Sequence, residues 1–296
     1  RVPYFTNFSF QEFMKARMII SSRIFGISIN NYKTDVLVPF ADLLNHKRPR
    51  QTQWYYDNKI KSFVIQATED IEQGKEIYDS YGKKTNGRFL LNYGFAIENN
   101  DSSEYALSVI FDDCYPLYEV KKKIIKNGKN LIKTFYLNNN LYESQIIELL
   151  SFLRFCMFSG NINDLMNIKK CKNDDIYNES FFLSFDNYNF GIGYIPPLDK
   201  ETEINVLKKL KILLVQALNK YENDLETDKK IYKEDKSISF NYKNCLLLTM
   251  SEKNVLNYYI YFCEYCLDLF KVKDRNQLIE KLSSDVDFQF EFYILL

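Results

Sequence analysis

The sequence has a single histidine, His46, in 296 residues. That excludes a metal site built from a histidine cluster, and any Ser-His or Cys-His hydrolase would depend on this one residue. Cysteine is sparse too: Cys114, Cys156, Cys171, Cys245, Cys263 and Cys266 are scattered along the chain. A dense disulfide framework is excluded, and a reducing, intracellular compartment fits, be it cytoplasm, nucleus or a plastid-type organelle. Cys263 and Cys266 form one C-x-x-C, short of the about four ligands a zinc ion takes, and they fall on an apolar helical stripe, so core packing is expected. Charge of neither sign dominates: 39 Lys and Arg balance 39 Asp and Glu. No global field draws the chain to nucleic acid or an anionic membrane. No apolar run reaches the roughly 18 residues that a bilayer crossing needs, and no signal peptide is visible, although the chain opens on Arg1 rather than Met. Gly191-Ile192-Gly193 lacks the third glycine of a dinucleotide loop and reads as a connector. No fixed-period repeat is present, which excludes a solenoid.

What is present is enough apolar residue, 46%, to bury a sizeable core. Phe10, Phe13, Met14 and Met18 recur at helical spacing, with Ser9 and Glu12 placed as a capping box, and predict a helix over 10–25. Val36 to Phe40 reads as a short buried strand ended by Pro39. Gln53–Tyr56 and Ile60–Ala67 read as a hairpin across Asp57-Asn58. Lys75–Tyr78 is a short strand, Asn86–Leu91 one or two helical turns, and Tyr105–Phe111 a strand closing the β-rich part.

Beyond about Tyr115 helical stripes dominate: Ile146 to Met157, Leu207 to Leu225 with Asp199 as an N-cap, and Leu256 to Phe270. The basic runs Lys121-Lys122-Lys123 and Lys208-Lys209 alternate with apolar residues at helical spacing, so solvated faces are expected rather than a nucleic-acid groove.

Two segments about thirty residues apart organise the rest. One is the apolar run Val36-Leu37-Val38-Pro39-Phe40-Ala41-Asp42-Leu43-Leu44 ending in Asn45-His46. The other is Gly74-Lys75-Glu76-Ile77-Tyr78-Asp79-Ser80-Tyr81-Gly82, followed by Lys84-Thr85-Asn86 and by Leu91-Asn92-Tyr93-Gly94-Phe95. In this order and spacing they resemble the SET-domain protein methyltransferases, in the branch that holds the Rubisco large-subunit lysine methyltransferase and the actin-histidine methyltransferase. Leu149-Leu150-Ser151-Phe152-Leu153-Arg154-Phe155-Cys156 is similar to the start of that branch's helical substrate-binding domain, and Tyr221 to Lys236 to its later long helix.

The resemblance implies an α+β architecture: a β-rich SET catalytic part over 1–115 and an all-α substrate-binding domain over 116–296. It implies S-adenosyl-L-methionine as cofactor and transfer of its methyl group to a protein, with neither nucleic acid nor membrane as partner. A monomer is expected. By the same resemblance Tyr81 and Tyr93 are the catalytic tyrosines. Arg23, Asp42, Asn45, His46, Tyr81 and Phe95 line the cofactor, and Phe25, Ala41, Arg23 and Tyr93 line the substrate channel. Such chemistry needs aromatic walls and hydroxyls more than a strong base, because a buried amine beside a sulfonium favours its neutral form.

Three positions bear on the acceptor. The histidine-modifying branch carries Asn where this chain has Phe25 and Trp where it has Ala41, and it lacks the tyrosine read here as Tyr93. The lysine-modifying branch has Phe, Ala and Tyr. An alkyl amine suits an apolar sleeve with a hydroxyl at its end, so lysine is the expectation. SET domains also begin with a Gly-x-Gly lobe that cradles the methionine part of the cofactor. Nothing before residue 45 matches it, so the chain is expected to start within the insert that divides the SET fold. That leaves two alternatives: a histidine methyltransferase, and a silent SET-like module that binds a protein.

Overall fold

The computed structural model describes residues 8–124, 132–140, 143–161, 195–274 and 276–278. Gly191-Ile192-Gly193 and Cys171 lie outside them. The chain separates into two compact units, Arg1–Ser102 with Ser239–Leu248, and Ser103–Ile238 with Thr249–Leu296.

The first unit opens with helix α1 (Phe10–Arg23) and carries the expected capping box: the Glu12 N–H donates to Ser9 Oγ, and the Ser9 N–H donates to the Glu12 carboxylate at 2.7 Å. The helix stops at Arg23 rather than Phe25 because Ile24 and Phe25 already belong to strand β1 (Ile24–Ile29). β1 pairs antiparallel with β2 (Tyr32–Leu37) across Asn30 and Asn31. Both asparagines have positive φ, +49° and +69°, the left-handed geometry that a tight hairpin turn demands and Asn tolerates. The strand expected over Val36–Phe40 therefore lies further N-terminal, and the chain turns at Phe40 (φ +69°) into a 3-10 turn, Ala41–Leu43.

Strand β3 (Asn45–His46) runs parallel to β6 (Tyr78–Asp79), pairing Asn45 with Tyr78 and His46 with Asp79. Only the end of the expected Lys75–Tyr78 strand is thus paired. Between them β4 (Thr52–Asp57) and β5 (Ser62–Ala67) form the expected hairpin, its turn held by the Lys59 N–H on Asp57 Oδ1 at 2.8 Å. Helix α2 (Asn86–Tyr93) is capped by Thr85 and ends at Gly94, whose φ of +81° a residue without Cβ adopts freely. A small core of Phe25, Ile27 and Ala41, flanked by Trp54 and Phe63, lies among these elements.

In the second unit β7 (Glu104–Ile110), read in sequence as the strand closing the β-rich part, pairs antiparallel with β8 (Ile132–Asn138), which the sequence reading does not foresee. Helices α3 (Tyr118–Ile124), α4 (Ile146–Met157), α5 (Lys200–Leu218), α6 (Leu225–Glu234) and α7 (Phe240–Leu269) follow; residues 240–248 of α7 count with the first unit. Asp199 caps α5 as expected. The stripe expected to continue to Leu225 breaks after Leu218, because Asp224 caps a new helix there. The long helix is α7, with 30 residues, whereas the segment resembling it in sequence forms the 10-residue α6.

The core joins Leu149, Leu150 and Leu153 of α4, Val206, Leu207, Leu210 and Leu214 of α5, and Val255, Leu256, Tyr259 and Phe262 of α7. Each such side chain contributes about 1.5–3 kcal/mol by burial. Cys263 and Cys266 are buried in this core, as expected, and burial pushes both thiols up. Arg154 of α4 and Glu203 of α5 form a fully buried ion pair, with Nε and Nη2 donating to the two carboxylate oxygens at 2.7 and 2.8 Å. One expectation fails: Lys121 is not a solvated residue but 0% exposed. Its ammonium donates to the Cys156 and Phe158 carbonyls at 2.8 and 2.7 Å, closing the C-terminal end of α4, where cations are favoured.

Candidate active site

The site grows from the β3–β6 pairing in the first unit. Parallel register sets His46 beside Asp79, and the next two residues bring Tyr81 against the imidazole. The Tyr81 N–H donates to His46 Nδ1 at 2.9 Å, and the Tyr81 hydroxyl donates to the Leu44 carbonyl at 2.7 Å. The tyrosine is therefore held at both backbone and phenol by the segment that ends in Asn45-His46.

Helix α2 supplies the facing wall. Its capped start aims Phe89 and Tyr93, four residues apart, to one side. Tyr93 stacks on Tyr81 with ring centroids 4.7 Å apart and planes 22° apart. Phe89, 1% exposed, lies 4.8 Å from the His46 ring and stacks on Phe95 at 5.1 Å. Phe95 is brought back by the buried amide of Asn86, which accepts from the Ile97 N–H and donates to the Ile97 carbonyl at 2.9 and 3.0 Å. His46, Tyr81, Tyr93 and Phe95 thus meet in one cluster. Phe89, which the sequence reading passes over, is the most deeply buried ring of the cluster and packs on His46, Tyr93 and Phe95; its spacing to Tyr93 on a capped helix is the signal that could have found it.

The other candidates are placed differently. Arg23 Nη1 donates to the Asp42 carbonyl at 2.7 Å and approaches the Asp42 carboxylate at 3.4 Å. Both charges are near enough to act on the Tyr81 phenol. Asn45 spends its side-chain amide on Glu76, at 2.6 Å, and the Tyr78 hydroxyl donates to the other Glu76 oxygen at 2.8 Å. Phe25 and Ala41 are buried in the small core. Strand alternation turns Phe25 inward with Ile27, and its ring meets Trp54 and Phe63 edge-on at 5.2 Å each.

Electrostatically the site favours neutral side chains. Burial, then Asp79, pushes the Tyr81 phenol up, and burial does the same to Tyr93, so both hydroxyls stay protonated at neutral pH. Burial, then Arg48 and Lys84, pulls His46 below the ordinary imidazole range. A neutral imidazole that accepts at Nδ1 carries its proton on Nε2. Nε2 is buried and has no hydrogen-bond partner among the described residues. A buried donor of this kind beside the Phe95 and Tyr81 rings suits an acceptor on a bound heterocycle. The ring faces carry the negative end of the aromatic quadrupole and attract cations, sulfonium or ammonium alike. No group of residues among those described could hold a metal ion.

Comparison with known proteins extends this picture. The Rubisco LSMT substrate-binding family matches residues 113–256. The structure of the SET domain of LSMT bound to lysine and AdoHcy aligns with 93% of this chain and 63% of that one, at a TM-score of 0.60 and 19% identity. In these matches the chain is similar to the Rubisco LSMT branch of SET-domain proteins. Its α+β fold is that of LSMT's SET domain with a helical substrate-binding region.

The chain is similar to the ribosomal lysine N-methyltransferase set10 of Schizosaccharomyces pombe, 28% identical over 125 residues, which cover 41% of this chain and 23% of that protein. It is also similar to the actin-histidine N-methyltransferase of Homo sapiens, 22% identical over 261 residues, 86% of this chain and 41% of that protein. The match thus spans less than half the length of these curated relatives.

Proposed function

We propose that this chain belongs to an S-adenosylmethionine-dependent protein-lysine N-methyltransferase. The observation that carries the reading is the anchored Tyr81: backbone N–H on His46, hydroxyl on Leu44, ring stacked on Tyr93. A tyrosine held at three points within an aromatic wall suits a reaction whose demands are alignment and exclusion of water.

When bound, S-adenosylmethionine supplies a methyl group on a sulfonium, already activated for displacement. Asn45 and His46 would hold it, with the His46 Nε2–H as donor and Phe95 as an apolar wall; Arg23 and Asp42 border the same place. The acceptor amine, with an ordinary pKa near ~10.4, gives its proton to water before reaction. The buried surroundings of Tyr81 and Tyr93 favour the neutral amine. Tyr81 and Tyr93 orient the amine through neutral hydroxyls, and the apolar core that holds Phe25 and Ala41 backs the segments on either side of Arg23 and Asp42.

The helical second unit would bind the protein substrate. Free cysteines, five among the described residues, fit the cytoplasm or nucleus, and no described helix is long and apolar enough to cross a membrane.

The test is calorimetric titration with S-adenosylhomocysteine, then amino-acid analysis of proteins labelled from tritiated S-adenosylmethionine. Saturable binding and labelled methyl-lysine are expected. Label in methyl-histidine would move the assignment to the actin-histidine type. Absence of binding and labelling would leave a silent module that grips a protein.

A further inference from the structure

Tyr81 has one more anchor, and it comes from a residue with no role in the reading above. The Lys84 ammonium donates a hydrogen bond to the Tyr81 carbonyl. With the N–H on His46 and the hydroxyl on Leu44, every polar group of Tyr81 then has a protein partner. We propose that Lys84 is a positioning residue for Tyr81: its ammonium locks the Tyr81 carbonyl and thereby fixes where the phenol presents itself to the reacting amine. This rests on the methyltransferase reading for its catalytic consequence and on geometry alone for the anchoring.

Three further observations show that the contact is built in. Lys84 folds back over Gly82, whose φ of +90° turns the chain there, and a Cβ added at Gly82 would come within 3.3 Å of the Lys84 amine. A glycine at this position leaves the space through which the side chain reaches the carbonyl. The Lys84 backbone is itself tied down, since Asn100 Nδ2 donates to the Lys84 carbonyl at 2.9 Å and to Asn86 Oδ1 at 3.0 Å. Lys84 also sits directly before the Thr85 cap of α2, and its amine lies 5.9 Å from the centre of the Tyr93 ring. One cation therefore reaches both members of the Tyr81–Tyr93 stack. Burial, then the charge of Arg88, lowers the Lys84 pKa, and the neutral rings of Tyr93 and His46 lie nearby. No carboxylate bonds to the ammonium among the described contacts, so the carbonyl is its principal acceptor.

The test compares Lys84→Met and Lys84→Gln, which remove the charge at similar bulk, with Lys84→Arg, which keeps it. Amide hydrogen exchange is read at Tyr81, with Leu149, bonded to the Gln145 carbonyl in the second unit, as control. Losing one ion-to-carbonyl bond is expected to speed Tyr81 exchange roughly tenfold in the neutral variants, with Leu149 unchanged and Lys84→Arg within about twofold of the parent. In parallel, methyl transfer from tritiated S-adenosylmethionine to poly-L-lysine should lose roughly tenfold in kcat, or about 1.4 kcal/mol, with KM for the cofactor unchanged and the loss rescued by arginine. Unchanged Tyr81 exchange in both neutral variants, or unchanged kcat in an active protein, would overturn the proposal. A parent protein without methyl transfer, but with faster Tyr81 exchange on losing Lys84, would instead overturn the functional reading and leave the anchor standing.

Discussion

Replacing Tyr81 by Phe separates the chemistry of the site from its packing. The substitution removes one oxygen. The backbone N–H bond to His46 and the ring stack on Tyr93 at 4.7 Å involve no part of the hydroxyl and remain; such a stack contributes about 0.5–1.5 kcal/mol beyond burial. What is lost is the 2.7 Å bond to the Leu44 carbonyl, in a half-buried place. A hydrogen bond of this kind is worth about 1 kcal/mol net, so chemical denaturation should show destabilisation of that order. A preorganised polar group at a reacting centre contributes about 10²–10³ in rate, or ~2.7–4 kcal/mol. The rate loss should therefore exceed the stability loss by at least ~1.5 kcal/mol. Methyl transfer from tritiated S-adenosylmethionine to poly-L-lysine, with protein folded throughout the assay, measures the first; a urea titration measures the second. A Tyr81→Phe protein whose kcat stays within about threefold of the parent would remove the hydroxyl from the mechanism.

Three further outcomes are expected. Arg154→Met strands the Glu203 carboxylate in a site where both side chains are 0% exposed, so the second unit should lose about 3–5 kcal/mol, and adding Glu203→Leu should restore most of it; equal destabilisation by single and double variants would refute the pairing argument. His46, the sole histidine, has its imidazole pKa depressed by burial. The unfolded chain then binds more protons than the folded one from about pH 6.5 down to the folded pKa, so this group's stability contribution is present above 6.5 and lost as pH falls. Asp79 and Glu252, raised by burial, act in the opposite sense, so the direct measurement is nitrogen NMR of the imidazole, where a midpoint at or above 6.5 would contradict the burial argument. Phe89→Ala should cost about 3–5 kcal/mol and collapse the near-ultraviolet signal of the ring cluster, whereas Phe89→Leu should cost under ~1.5 kcal/mol; equal effects would mean that ring packing is not what holds the site.

The features legible in sequence are those whose cause is local. Ser9 and Glu12 define the start of α1 because the two residues satisfy each other within one turn. Asp199 does the same for α5, and Asp57 for the β4–β5 turn. Errors arise where two local codes compete. Ile24 and Phe25 continue a helical stripe and also begin an alternating strand; pairing with Leu37 and Val36 decides for the strand. Leu218, Tyr221 and Leu225 keep helical spacing across a break that Asp224 imposes. Lys121 carries no sequence sign of burial, because nothing near it announces the carbonyls of Cys156 and Phe158 that receive it.

By itself the sequence determines the order and spacing of the Asn45-His46 and Tyr81 to Phe95 motifs, the caps, and the exclusions that follow from one histidine and balanced charge. Each cap and each motif is set by residues within a few positions of one another, and the exclusions are set by composition. Tertiary structure alone decides which of the named residues meet. It joins His46 to Tyr81 across 35 positions, spends the Asn45 amide on Glu76 across 31, and buries Phe89 against His46, Tyr93 and Phe95. It also withdraws Phe25 and Ala41 into a core with Trp54, and sends Lys84 back to the carbonyl of Tyr81. The reason is physical: a side chain's partner is set by the strand register and helix placement that bury the most apolar surface with every buried polar group paired, and that balance exists only once distant segments have come together.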